Sequence, residues 1–94
     1  MQVRWLRTAL RNLDEEATFI AADDPRAAQL AVARVLNAVE VLASQPALGR
    51  PGRVSGTREL VVAKTRYLIP YRVRGDVVEV LRVFHTSRRV PKRW

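Results

Sequence analysis

Apolar residues in this chain change their spacing once, and that change decides the fold class. From Thr8 to Leu42 they recur with the period of a helix, and from Arg58 to Phe84 they alternate as in a strand. Helices and strands that arrive in separate runs pack as separate layers. The pattern therefore predicts one α+β domain over residues 1–94 rather than an alternating β/α fold.

A short opening strand precedes the helices, Val3 to Leu6, apolar with a polar interruption at Arg4. In the first helix Ala9, Leu13, Ala17 and Ile20 form one stripe, with Arg11, Asp14 and Glu15 mostly opposite and Thr8 placed as its cap. Asp23-Asp24-Pro25 ends that helix and starts the next. Asp24 is a natural N-cap, and Pro25 fits the first helical position, where a missing N–H costs nothing. Ala28, Val32, Val35, Val39 and Leu42 then mark a second buried stripe, closed by Gln45-Pro46. The short link predicts an antiparallel helical hairpin, with Trp5 as a core anchor beneath it.

Residues 46–56 hold three of the four glycines and two of the five prolines, and read as a loop. Three strands follow: Arg58 to Val62, Arg66 to Val73 and Val77 to Phe84, the last two joined by a tight turn at Arg74-Gly75-Asp76. Pro70 has no N–H to give a ladder, which predicts an edge or a bulge there. The element order is β-α-α-β-β-β, a helical hairpin packed on a small, mostly antiparallel sheet. In the second strand Tyr67, Ile69, Tyr71 and Val73 share one face and Arg66, Leu68, Arg72 and Arg74 the other. The third strand is apolar at both parities, so periodicity leaves its inward face open.

Charge divides the chain as sharply as periodicity does. Residues 1–48 carry five cations and six acids, net −1; residues 49–94 carry twelve and three, net +9. Lys64 and Lys92 are the only lysines, so the working charge is arginine, a planar fork suited to phosphate or carboxylate. A negatively charged partner is expected. With no cysteine and one histidine, neither a disulfide nor a metal site is expected, and no cofactor. No apolar run approaches the roughly 20 residues that cross a bilayer, and the start lacks a signal-peptide core, which predicts a cytoplasmic protein without membrane contact. Gly49-Arg50-Pro51-Gly52 is followed by no Lys-Ser/Thr and no helix, so it is not a phosphate-binding loop. Arg58 and Glu59 can be read as pairing with neighbouring charges in the sheet, Tyr67 and Tyr71 as core, and His85 as a hydrogen-bonding residue at a strand end.

The order of these pieces resembles the ParE/RelE superfamily of toxins from type II toxin–antitoxin systems, closest to the ParE branch. The resemblance covers nearly the whole chain: Trp5 with Ala9 and Leu13, Asp24-Pro25 with Ala27-Ala28, Pro46-Ala47-Leu48-Gly49-Arg50-Pro51-Gly52, Gly56-Thr57-Arg58-Glu59-Leu60-Val61-Val62, Tyr67-Leu68-Ile69-Pro70-Tyr71-Arg72-Val73, and Arg82-Val83-Phe84-His85-Thr86-Ser87-Arg88-Arg89 with Pro91. It implies a toxin held by a cognate ParD-like antitoxin and aimed at DNA gyrase or, for RelE-like members, at messenger RNA on the ribosome. Assembly as a homodimer or as a toxin–antitoxin hetero-oligomer is compatible with it. RelE-like members carry an arginine where this chain has Leu68, and paired lysines where it has Glu59 and Val61; Thr86 follows His85 where a second polar aromatic is usual. RNA cleavage needs a base, an acid and cations around the phosphorane, for which this chain offers Glu59 or His85 with Arg82 and Arg88.

These departures favour a gyrase inhibitor with no catalytic residues. A ribosome-dependent mRNA endonuclease is the alternative, and a non-toxic basic binding module the third reading. Target contact is expected at Arg82, His85, Arg88, Arg89, Lys92, Arg93 and Trp94. Antitoxin contact is expected at the exposed sides of Leu13, Ile20, Val32, Val35 and Leu36, since an apolar hairpin suits a partner that folds on binding.

Overall fold

A first strand, β1 (Gln2–Trp5), runs straight into the helix α1 (Arg7–Ala21), and α2 (Pro25–Val41) follows after a short link. The computed structural model describes residues 1–87 and 93–94. Thr8 lies inside α1 and is not its cap; Leu6 occupies that position and offers no side-chain bond. The helix start is set by the sheet instead, because the Leu6 N–H donates to the Val80 carbonyl at 3.0 Å. Asp24 caps α2 as its sequence predicts, Oδ1 accepting from the backbone N–H of Arg26 and of Ala27, both at 3.1 Å, a cap worth about 1 kcal/mol.

The strands continue as β2 (Arg50–Pro51), β3 (Arg58–Val61), β4 (Tyr67–Arg74), β5 (Val77–Val80) and β6 (Phe84–His85). Their order across the sheet is β1-β5-β4-β3-β2, with β6 on β4. β1 runs parallel to β5, and the other pairs are antiparallel. β4 and β5 meet through Gly75-Asp76, where Gly75 takes φ +60° and Asp76 does not, the geometry of a type II′ turn. β2 was not visible in the sequence. Its two residues become a strand only because the edge of β3 presents partners, Arg50 opposite Glu59 and Pro51 opposite Arg58.

Pro70 produces a bulge on the strand facing it, and what reads in the sequence as one strand from Val77 to Phe84 is two. Val80 pairs with Tyr71 and Phe84 pairs with Leu68. Three residues, Leu81 to Val83, therefore stand against two, Ile69 and Pro70. The Pro70 carbonyl still accepts from the Leu81 N–H at 2.9 Å, but the proline has no N–H to return, and the extra residue is accommodated there. The bulge reverses parity. Val78 and Val80 face the helices before it, and Val83 faces them after it, so Arg82 and Phe84 are turned to the opposite side.

The core lies between the hairpin and one face of the sheet: Ala9, Val35, Val39 and Leu42 from the helical side against Leu60, Ile69, Tyr71, Val78 and Val80. Tyr67 and Tyr71 are core residues as read from sequence, and Trp5 packs against the cluster. The Tyr71 hydroxyl leaves the core to hold the 46–56 segment. It donates to the Pro46 carbonyl at 2.7 Å and accepts from the Gly49 N–H at 2.8 Å. A Cβ on Gly49 would lie 2.6 Å from the Tyr71 ring, so only glycine permits this approach.

Candidate functional site

The sheet face turned away from the helices collects the arginines. Glu59 on β3 projects there, only 3 % exposed, and is enclosed by two of them. Its carboxylate accepts from Arg53 Nε at 2.9 Å, Arg53 Nη2 at 3.2 Å, the Arg53 backbone N–H at 2.8 Å and Arg50 Nη2 at 3.3 Å. The Arg53 side-chain hydrogen bond is the main reason the carboxyl sits below its ordinary range, outweighing the opposing effect of burial; the Arg53 backbone bond, the Arg53 charge and Arg50 add to it. Glu59 thus pairs with neighbouring charges as read from sequence, while Arg58 does not. Arg58 turns instead to backbone, Nη1 donating to the carbonyls of Gly49 (2.8 Å) and Ala47 (3.4 Å).

Glu79 on β5 repeats the arrangement. It is 6 % exposed, accepts from Arg72 Nε at 2.7 Å and lies 3.6 Å from Arg74 Nε. Its carboxyl is lowered chiefly by the Arg72 hydrogen bond, against burial, with the charges of Arg72, Arg74 and Arg4 contributing.

Arg82, Phe84 and Trp94 meet on this same face. The Trp94 ring stacks on Phe84 with centroids 5.3 Å apart, and Arg53 lies over it at 5.6 Å. Trp94 Nε1 donates to Thr57 Oγ1 at 3.2 Å, and Arg82 forks onto the Trp94 backbone oxygen through Nε (3.2 Å) and Nη2 (3.0 Å). Arg93 is exposed beside it. His85 is not part of this group. It sits on the helix-side face, its ring edge-on to Tyr67 at 5.5 Å, with Nδ1 accepting from the Ser87 N–H at 3.3 Å. Arg88, Arg89 and Lys92, the remaining expected target contacts, lie outside the described residues.

His85 borders a cleft of about 310 Å³ between the hairpin and the sheet, whose rim includes Phe19, Leu30, Arg34, Lys64 and Arg66. Neither Phe19 nor Leu30 belongs to a buried stripe, and both are exposed; two large apolar residues off the stripe were the signal available in the sequence. A second, shallower apolar groove of about 550 Å³ runs along the hairpin, lined by Val32 and Leu36 among small side chains. Of the expected antitoxin contacts, Leu36 is 44 % exposed and Val32 half-buried, while Leu13 and Ile20 pack partly against the core. Val35 must be corrected. It is fully buried at 0 % exposure, on the line of the helix that meets the sheet, and has no side to offer a partner.

Among the described residues no group of three His, Cys, Asp or Glu is disposed to hold a metal ion, and no helix is long and apolar enough to cross a membrane. Residues 3–90 match the family model of the ParE toxin of type II toxin-antitoxin system, parDE. The chain belongs to the ParE toxin family. A Sinorhizobium fredii (strain NBRC 101917 / NGR234) protein named "Putative toxin Y4kP" is 50 % identical over 91 residues, 97 % of this chain and 94 % of that one. A chain in the solved structure of the chromosomal ParDE TA system from P. aeruginosa superposes with a TM-score of 0.80 at 28 % identity, over 90 % of this chain and 95 % of that chain. The protein is accordingly a ParE-family toxin with two helices on a mixed sheet. In this ParE fold Glu59 and His85 occupy opposite faces of the sheet, and Glu59 engages Nε and Nη2 of Arg53.

Proposed function

We propose that this ParE-family toxin inhibits DNA gyrase without catalysing a reaction, blocks replication by stalling the enzyme on cleaved DNA, and is neutralised in the cytoplasm by a ParD-like antitoxin that folds onto the helical hairpin. The observation that carries the reading is the separation of Glu59 from His85, the two groups the sequence offers as base and acid. Glu59 is enclosed by Arg50 and Arg53 on one sheet face, His85 lies beside Tyr67 on the other, and the buried Leu68 stands where RelE-like toxins place an arginine. A base and an acid separated by a sheet cannot both reach one phosphate.

Purified toxin tested on gyrase supercoiling and cleavage, beside messenger RNA in a translation extract, decides between the two mechanisms. Loss of supercoiling with intact message is expected; ribosome-dependent cleavage with supercoiling untouched would overturn the reading. Target contact is assigned to the cationic stretch that includes Arg88 and Arg89. Reversing both charges should weaken gyrase inhibition roughly thirtyfold or more, the equivalent of about 2 kcal/mol for a hot-spot arginine, with antitoxin binding intact. Charge reversal is a cleaner probe than deleting Trp94, because that deletion would also uncover Phe84. Full inhibition by the reversed variant would move the surface to Arg50 and Arg53.

A further inference from the structure

We infer that the arginine-bearing face of the sheet is a docking surface for the phosphate backbone of duplex DNA, used by the toxin itself. Folding turns the uneven charge of the sequence into two layers. Residues 7–41, which hold both helices, carry four cations and six acids, net −2; the rest of the chain carries thirteen and three, net +10. Of those three acids, Asp76 lies in the Gly75 turn, while Glu59 and Glu79 are buried beneath two arginines each. Solvent on this face meets guanidinium groups, not carboxylates.

The two buried glutamates act as anchors. Arg50, Arg53, Arg72 and Arg74 keep between 36 % and 68 % of their side chains exposed while the carboxylate behind fixes their orientation. Arg72 and Arg74 approach Glu79 through Nε. Among the described residues their Nη atoms make no hydrogen bond, and they remain as donors for a ligand. An arginine fork already held in place matches a phosphate at lower entropic cost than a free one. Glu59 is opposite Pro70 and Glu79 opposite Arg72, so the two anchors lie two strands across and two residues along the sheet. Standard strand geometry puts them about 12 Å apart, close to the roughly 12 Å width of a B-DNA major groove whose two edges are lined by phosphates.

An acidic protein is the competing partner, and the same face argues against it. Protein interfaces rely on an apolar anchor at their centre. Here Leu68 and Pro70 are already buried, and the half-buried Phe84 and Trp94 are stacked on each other with Arg53 over the indole, so the aromatic surface of this face is already partnered within the chain. Phosphodiester contacts need only the charge and the fork. If gyrase is the target, this face would lie against the DNA that gyrase holds, a corollary that rests on the gyrase reading.

The test uses no gyrase, so it can fail while the gyrase reading stands, and the reverse. Anisotropy of a labelled mixed-sequence duplex is titrated with the full chain from about 50 mM salt upward. Binding should weaken linearly in log–log form, and the triple variant Arg72→Gln/Arg74→Gln/Glu79→Gln, which strands no buried carboxylate, should lower the slope by about 1–2. The variant Arg50→Gln/Arg53→Gln/Glu59→Gln does the same at the other anchor, should the first not fold by circular dichroism. The control Arg7→Gln/Arg26→Gln removes more net charge, from the helical layer, and should leave the slope unchanged. Three results would overturn the inference: no binding of the parent at low salt, an equal loss in the control, or tighter binding to poly-glutamate of matched charge than to DNA.

Discussion

Tyr71→Phe removes one oxygen atom, and the structure fixes what that oxygen holds. The hydroxyl bridges the Pro46 carbonyl and the Gly49 N–H, and so ties the segment carrying Arg50 and Arg53 to the core. Gly49 is buried, and its N–H would be left without an acceptor. A buried donor stranded in this way costs about 1–3 kcal/mol. Pro46 is only half-buried, so its carbonyl can turn to water and adds little. A loss of about 2 kcal/mol is expected, roughly thirtyfold in the folding equilibrium. At about 4–8 °C per kcal/mol for a domain of this size, the melting temperature should fall by roughly 8–16 °C. Urea unfolding gives the free energy, and hydrogen exchange at the Gly49 amide reports whether the loss is local. A change below about 0.5 kcal/mol with Gly49 protection intact would refute the assignment of the hydroxyl as the clamp.

Val35→Ala should cost about 2–3 kcal/mol in chemical denaturation, since it removes two methyl groups from a site with no exposure; Leu36→Asp should cost about 1 kcal/mol or less yet weaken antitoxin binding at least tenfold, measured by calorimetry on folded protein. Glu59 and Glu79 both ionise below their ordinary value of 4.5, so the stability they contribute is complete above that value and is lost as pH falls through the lower folded-state values; urea midpoints should drop steeply below about pH 4, and less steeply in Glu59→Gln/Glu79→Gln. His85→Ala should preserve gyrase inhibition in a supercoiling assay, because inhibition by binding needs no general acid or base from the cleft that His85 shares with Arg34, Lys64 and Arg66. Glu59→Ala is no comparable test of catalysis. It frees Arg50 and Arg53 and disturbs the Arg53–Trp94 contact, so reduced toxicity there would report positioning.

The sequence by itself determined the layer architecture, the two buried helical stripes, the Asp24 cap, the Gly75 turn and the inward face of Tyr67, Ile69 and Tyr71. Each of these is a local or periodic property, decided by residues within a few positions of one another. It also carried the family resemblance, through the order of its motifs. Tertiary structure alone decided three other things. It made Arg50–Pro51 a strand, which needed the edge of β3 beside it. It split the last strand opposite Pro70, and the single extra residue exchanged the faces of Arg82 and His85, turning Arg82 outward and His85 toward the helices, a reversal that periodicity cannot register because both parities are apolar. And it buried Glu59 and Glu79 under arginines brought to them by strand pairing and by the loop that carries Arg53. Charge counted along a chain says how much positive potential a protein carries; only the pairing of strands says which arginines are spent on a carboxylate and which face they present to a partner.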